Sequence, residues 1–248
     1  MFSIKKILAL TLTSFVIAGS AADAAERAYE NGSETKVSTE RKSFRERVDA
    51  IMAEIDQSYD TEKKHYEVPI GTPVITSIYD ERIMGTAMAT EAQCVSFLLR
   101  NNPLPKISVS PEELVAAYYE EASKEGVRPD VAFAQAIHET GFFNYGGTVT
   151  PDQNNYCGLG TTSSTVKGHY FPTAQMGARA HIQHILAYTT NRLPKEELVD
   201  PRYYIAKNAY GNLGIDTWNG FNGRWAVPGI GYGEKVMSIF RKIMEEKE

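Results

Sequence analysis

Val127-Arg-Pro-Asp-Val-Ala-Phe-Ala-Gln-Ala-Ile-His-Glu-Thr-Gly-Phe-Phe143 is the stretch whose reading decides the fold. Pro129 suits the first turn of a helix, where an N–H would lack a partner anyway, and Gly141 suits the left-handed residue that closes one, so a helix is expected through Thr140. At about 100° per residue, Phe133, Ala136, Ile137 and Thr140 share one face, and Gln135 and Glu139 stack one turn apart on another. Alanines flank both polar residues, so little of this helix can face water and other helices must surround it. A carboxylate at the end of such a helix is costly unless it pairs, takes up a proton or faces a cleft. Desolvation raises a carboxyl pKa, which keeps a glutamic acid protonated near neutrality and able to donate. Glu139 is therefore the first candidate for acid chemistry; the plainer reading is a buried Glu accepting hydrogen bonds from nearby loops.

The flanking sequence supplies the surrounding helices. Thr90-Glu-Ala-Gln93 and Ser110-Pro-Glu-Glu113 are capping boxes, in which the first and fourth side chains each satisfy a backbone N–H. The first helix should run to about Asn101, before Asn102-Pro103 and Pro105. The second presents Leu114, Ala117, Tyr118 and Ala122 on one face and stops at Gly126. Another is expected from Ala174 to Tyr188 with Thr173 as N-cap, and a last from Tyr232 to Glu246. Gly141 to Phe171 is rich in Gly, Thr, Asn and Ser, which suggests loops or a small β-hairpin. Upstream, Phe44, Val48, Ile51, Met52, Ile55 and Tyr59 fall at helical spacing, and 26–43 has the composition of a disordered leader. Tyr66–Tyr79 reads as extended chain that wraps the helical domain.

The first residues bear on the compartment. Lys5 and Lys6 precede an apolar run from Ile7 to Gly19, and Ala22-Asp23-Ala24 fits the small-residue pattern of a signal-peptide cleavage site. Residues 1–25 are thus expected to be a signal peptide that exports the chain to the periplasm, the cell wall or the medium, 26–81 a leader and linker, and 82–248 the main domain. Such a run is shorter than the roughly 20 residues of a membrane span, so no stable span is expected after cleavage, although an uncleaved anchor is the alternative. The chain carries 26 Lys and Arg against 31 Asp and Glu, a formal charge of −5. That balance argues against nucleic acid as a partner, because phosphate binding needs basic clusters. Cys94 and Cys157 make an even count, which in an oxidising compartment permits one disulfide; two buried free thiols are the alternative.

Fourteen residues after Glu139 begins a segment that contains Gln153-Asn-Asn-Tyr-Cys-Gly-Leu-Gly160, whose amides, aromatic ring and glycines suit recognition of sugar hydroxyl and acetamido groups. Together with the 127–143 run, with Gly177–Tyr188, with Asp200-Pro-Arg-Tyr203 and with Trp225–Gly229, it resembles the glucosaminidase family of cell-wall hydrolases, glycoside hydrolase family 73. The resemblance covers about residues 82–248. It implies a mainly α, lysozyme-like helical domain with a small loop or β-hairpin insertion, preceded by an extended and partly disordered N-terminal region. It further implies a peptidoglycan strand as partner, Glu139 as catalytic acid with Tyr232 beside it, and Asn154, Asn155 and Tyr156 as substrate-contacting residues; Gln135, stacked one turn from Glu139, is expected to bind substrate with them. The family often adds a second acid some 30–40 positions after the first, but no Asp or Glu lies between Asp152 and Glu196. A single-carboxylate mechanism is therefore expected, with the substrate's 2-acetamido group or a held water attacking.

No cofactor or metal is expected. His138-Glu139 lacks the second His of a zinc H-E-x-x-H motif, and His181 with His184 offers only two ligands on one helix. The leading expectation is an endo-β-N-acetylglucosaminidase acting on peptidoglycan. A lytic transglycosylase on the same polymer, a catalytically silent peptidoglycan-binding module and a zinc peptidase are the alternatives.

Overall fold

The computed structural model describes residues 66–247 apart from 162 and 164. The signal peptide, the leader and the amphipathic helix expected over 44–59 lie outside the described residues. Among the described residues six α-helices succeed one another: α1 Glu91–Asn101, α2 Pro111–Glu125, α3 Pro129–Thr140, α4 Ala174–Thr189, α5 Tyr203–Tyr210 and α6 Tyr232–Ile243. The domain is mainly helical, and its only β pairings among the described residues are isolated bridges. Among those residues no helix is long and apolar enough to cross a membrane.

Local chemistry sets the helix starts. Thr90 and Gln93 exchange hydrogen bonds in a capping box (3.2 and 3.0 Å), as do Ser110 and Glu113 (3.1 and 2.8 Å), and Thr173 accepts from the Met176 N–H. α3 is the central helix, with every residue from Pro129 to Ile137 buried. Tyr118 on α2 packs edge-on against Phe133 on α3, and Phe143 and Tyr156 extend the aromatic cluster. α5 carries no side-chain cap and buries only Tyr203 and Ala206, which is why its eight residues give no clear signal in the sequence. α6 stops at Ile243, earlier than expected.

Extended chain before α1 ties both ends of the domain together. Met84 bridges Val127, Arg82 bridges Thr217, and the Arg128 N–H donates to the Ile83 carbonyl (3.0 Å). Arg128 and Asp130 form a fully buried ion pair at 3.5 Å. Asp130 also accepts from the N–H groups of Met88 and Ala89, while Arg128 donates to the Asp80 carbonyl and lies over the Phe240 ring. Removing one partner would leave a buried uncompensated charge. This pair fixes the entry of α3.

The structure decides two points that the sequence leaves open. The 141–171 insertion is a loop with one 3-10 turn, Pro151–Gln153, and no hairpin among its described residues; side-chain amides rather than a strand ladder satisfy its backbone. Cys94 and Cys157 are free thiols. Cys94 sits in the main core with its sulfur 3.5 Å from the Tyr119 hydroxyl, whereas Cys157 packs in a separate small cluster with Leu159, Phe171 and Ala180. Burial pushes both thiols above their ordinary range, so they act as small apolar filler.

Gly177 lets the insertion reach α4. A Cβ there would stand 1.9 Å from the Asn154 carbonyl oxygen and 3.0 Å from the Tyr156 ring, so any larger residue must displace the 154–156 segment. Gly177→Ala is expected to cost about 1–3 kcal/mol, read as a fall of several degrees in Tm by calorimetry. A melting curve that does not move would show that the contact is looser than described.

Candidate active site

Glu139 lies in the last turn of α3, half-buried, at the edge of a cleft of about 560 Å3. Gly146–Val149, Cys157-Gly158 and Trp225 form much of the remaining wall, and Glu139 is the sole Asp or Glu among the lining residues. The turn after α3 holds the helix end in place. Phe142, Phe143 and Tyr145 all have φ near +57° (58, 56 and 57°), a conformation L-residues rarely adopt. Burial of Phe143 and its N–H bond to the Thr140 hydroxyl (2.9 Å) hold that strain next to the cleft.

Behind Glu139 runs a chain of buried hydrogen bonds. Tyr232 on α6 donates its hydroxyl to Glu139 Oε1 and accepts from Gln135 Nε2 (2.7 Å). The Gln135 carbonyl oxygen then faces His181 Nε2 (3.1 Å), and His181 Nδ1 meets the Tyr118 hydroxyl (2.8 Å). The geometry allows one consistent set of protons: Tyr118 donates to Nδ1, and Nε2–H donates to Gln135. Every donor therefore points towards Glu139. Desolvation, with the nearby His184 adding to it, pushes the His181 pKa down to about 3 and keeps that ring neutral.

The carboxyl itself is tuned by two opposing effects. Desolvation is the larger and raises the Glu139 pKa above its ordinary value, while the hydrogen bonds from Tyr232 and from the Trp225 indole oppose it by favouring the anion. Its place at the C-terminal end of α3, where the helix carbonyls point, works in the same direction as burial. When protonated, the group accepts from Tyr232 on Oε1 and so carries its proton on Oε2. That arrangement can deliver a proton to a leaving oxygen. Cys157 in the cleft wall offers no rival nucleophile, because burial and then the Glu139 charge hold its thiol neutral.

The remaining site candidates take other places. Gln135 is fully buried and commits both ends of its amide to the hydrogen-bond chain, which places it behind Glu139 rather than on the cleft wall. Asn154 and Asn155 are buried as well. Asn154 bonds the Phe171 carbonyl and accepts from the Ser108 and Tyr156 hydroxyls; Asn155 bonds the carbonyls of Leu159 and His169 and accepts from the Leu159 N–H. The Tyr156 ring is core. These three shape the loop that presents Cys157 and Gly158, and none of them is among the residues lining the cleft. Sequence reading considers His181 only as a possible metal ligand and Tyr118 only as core, and misses their place in this hydrogen-bond chain. The signal available is a tyrosine and a histidine on apolar faces of separate helices, which demand polar partners when buried. Asp152 is exposed and outside the cleft wall.

The family model described as mannosyl-glycoprotein endo-beta-N-acetylglucosaminidase (glucosaminidase) matches residues 115–245, which include Glu139, Tyr232 and the whole hydrogen-bond chain. An uncharacterized protein of Borreliella burgdorferi (strain ATCC 35210 / DSM 4680 / CIP 102532 / B31) is 30% identical over 179 residues, 72% of this chain and 84% of that protein. No solved structure matches the chain.

Tyr232→Phe removes a hydrogen bond that favours the ionised Glu139, so the Glu139 pKa is expected to rise further. If activity needs the protonated form, the alkaline limb of the rate profile should move to higher pH, with kcat reduced by the loosened carboxyl. A limb that stays in place would show that Tyr232 does not govern this titration.

Proposed function

The chain belongs to the glucosaminidase family of glycan-cleaving hydrolases, and from that premise we propose that it is an endo-β-N-acetylglucosaminidase of peptidoglycan with Glu139 as general acid. The observation that carries the reading is a lone carboxyl group, raised in pKa by burial, at the wall of an open cleft. The cleft volume of about 560 Å3 suits sugar rings, and Trp225 supplies an aromatic wall for them.

Glu139 gives its Oε2 proton to the glycosidic oxygen as the bond from that oxygen to C1 breaks. With no second carboxyl in the cleft wall, the carbonyl oxygen of the substrate's own 2-acetamido group attacks C1 and forms a cyclic intermediate. Glu139, now ionised, takes a proton from the incoming water, which opens the ring and returns the acid to its starting state. Tyr232 donates to Oε1 throughout and eases the change of charge. The exported location read from Lys5–Ala24 agrees with a wall polymer as substrate.

A lytic transglycosylase would use the same single acid but close the muramic sugar on itself instead of admitting water. Product chemistry separates the two. Glu139→Gln is expected to lower kcat at least about 10²-fold while leaving the melting temperature and sacculus binding in place. Mass spectrometry of the digest should show reducing ends at N-acetylglucosamine. Anhydro-muramic ends, or full activity in the Glu139→Gln chain, would overturn the proposal.

A further inference from the structure

Trp225 does not close the cleft; it divides it. Beyond the indole lies a second cavity of about 320 Å3 that shares Cys157, Gly158, Thr161 and Trp225 with the first. Residues of α5, with His184 and Tyr188 of α4, line much of the rest, and the lining contains Arg202 and Arg224 and no Asp or Glu.

Neither guanidinium forms an ion pair among the described residues. Arg224 is exposed and donates from one nitrogen to the Gly220 carbonyl (2.9 Å). Arg202 is half-buried, and its guanidinium has no hydrogen-bond partner among the described residues. The carboxylate two residues before it is already committed. Asp200 is buried, accepts the Arg202 backbone N–H on Oδ1 (2.8 Å) and meets His184 Nδ1 through Oδ2 (2.8 Å). Two cationic forks thus face an open cavity in a chain whose net charge is −5. Guanidinium groups bind carboxylates in paired, planar hydrogen bonds, and a half-buried one gains more from such a partner than a fully solvated one. Tyr188 and Tyr210, stacked at 4.6 Å, add an aromatic floor beside them.

We infer that this cavity is a carboxylate subsite, in which Arg202 and Arg224 bind the acidic substituent of the glycan strand whose backbone lies along Glu139. The inference rests on the glycan reading of the cleft and adds the substrate feature that the protein selects. A strand made only of N-acetylglucosamine offers no such group. A peptidoglycan strand offers it in one of two forms: the lactyl carboxylate where the peptide is absent, or the carboxylates of the stem peptide where it is attached.

The test measures Kd by calorimetry on the full chain carrying Glu139→Gln, which holds glycan without turnover. Three ligands of equal sugar length are compared: a neutral N-acetylglucosamine oligomer, a muramic-acid glycan stripped of peptide, and the same glycan bearing its stem. At least one acidic ligand should bind more tightly than the neutral one, and the one that does identifies the source of the carboxylate. Arg202→Gln should reduce that preference roughly tenfold or more, Arg224→Gln should also reduce it, and added salt should weaken it. The Arg224 side chain is exposed, so that variant keeps the test open if Arg202→Gln lowers the melting temperature. Equal binding of acidic and neutral ligands, or a preference that survives both substitutions, would overturn the inference. Cleavage by the Glu139→Gln chain would overturn the acid assignment alone, since the ratio is a binding quantity.

Discussion

A run of buried hydrogen bonds from Tyr118 through His181, Gln135 and Tyr232 to Glu139 ties four helices to one carboxyl group. Every member except the last is buried to 4% exposure or less, so each polar atom depends on its neighbour in the chain. Leaving any one of them unpaired would cost about 1–3 kcal/mol. That cost fixes how α2, α3, α4 and α6 are turned about their axes, because each must aim one side chain at the same line. An apolar core of the same volume would tolerate small rotations, whereas this one does not.

Function depends on where the line ends. Glu139 is the point at which the buried network meets the cleft, and the two halves of its carboxyl group have different surroundings. One oxygen belongs to the protein through Tyr232; the other is available to a ligand. Burial makes ionisation unfavourable, and the Tyr232 and Trp225 donors stabilise the anion once a proton has left. The proposed role, an acid that later acts as a base, needs both effects in balance. The strained turn at Phe142–Tyr145 and the amide-braced loop at 153–159 then shape the cleft around that group.

Much of the fold is readable from local chemistry. The capping boxes at Thr90 and Ser110, Pro129 opening α3 and Gly126 and Gly141 after their helices mark the ends where the structure has them. The all-round apolar character of 129–140 identifies the central helix and, with it, Glu139 as the carboxyl that needs an explanation. The roles of the amides are not readable in this way. Asparagines near a candidate acid suggest sugar contacts, yet Asn154 and Asn155 commit their groups to backbone carbonyls that a strandless loop would otherwise leave unpaired. His181 suggests a metal ligand because His184 lies three residues on, but its two nitrogens are taken by Tyr118 and Gln135. Such pairings join residues 46 and 63 positions apart, and helix periodicity carries no information about them.

The central claim is that burial raises the Glu139 carboxyl above its ordinary pKa and so favours the protonated acid. Its titration can be followed directly by NMR of chain labelled with 13C at the glutamate side-chain carboxyl, with the Glu139→Gln chain identifying the resonance. The account predicts a midpoint clearly above the ordinary glutamate value of about 4.3. A midpoint at or below that value would contradict it, since burial would then not favour the protonated form that the proposed general acid requires.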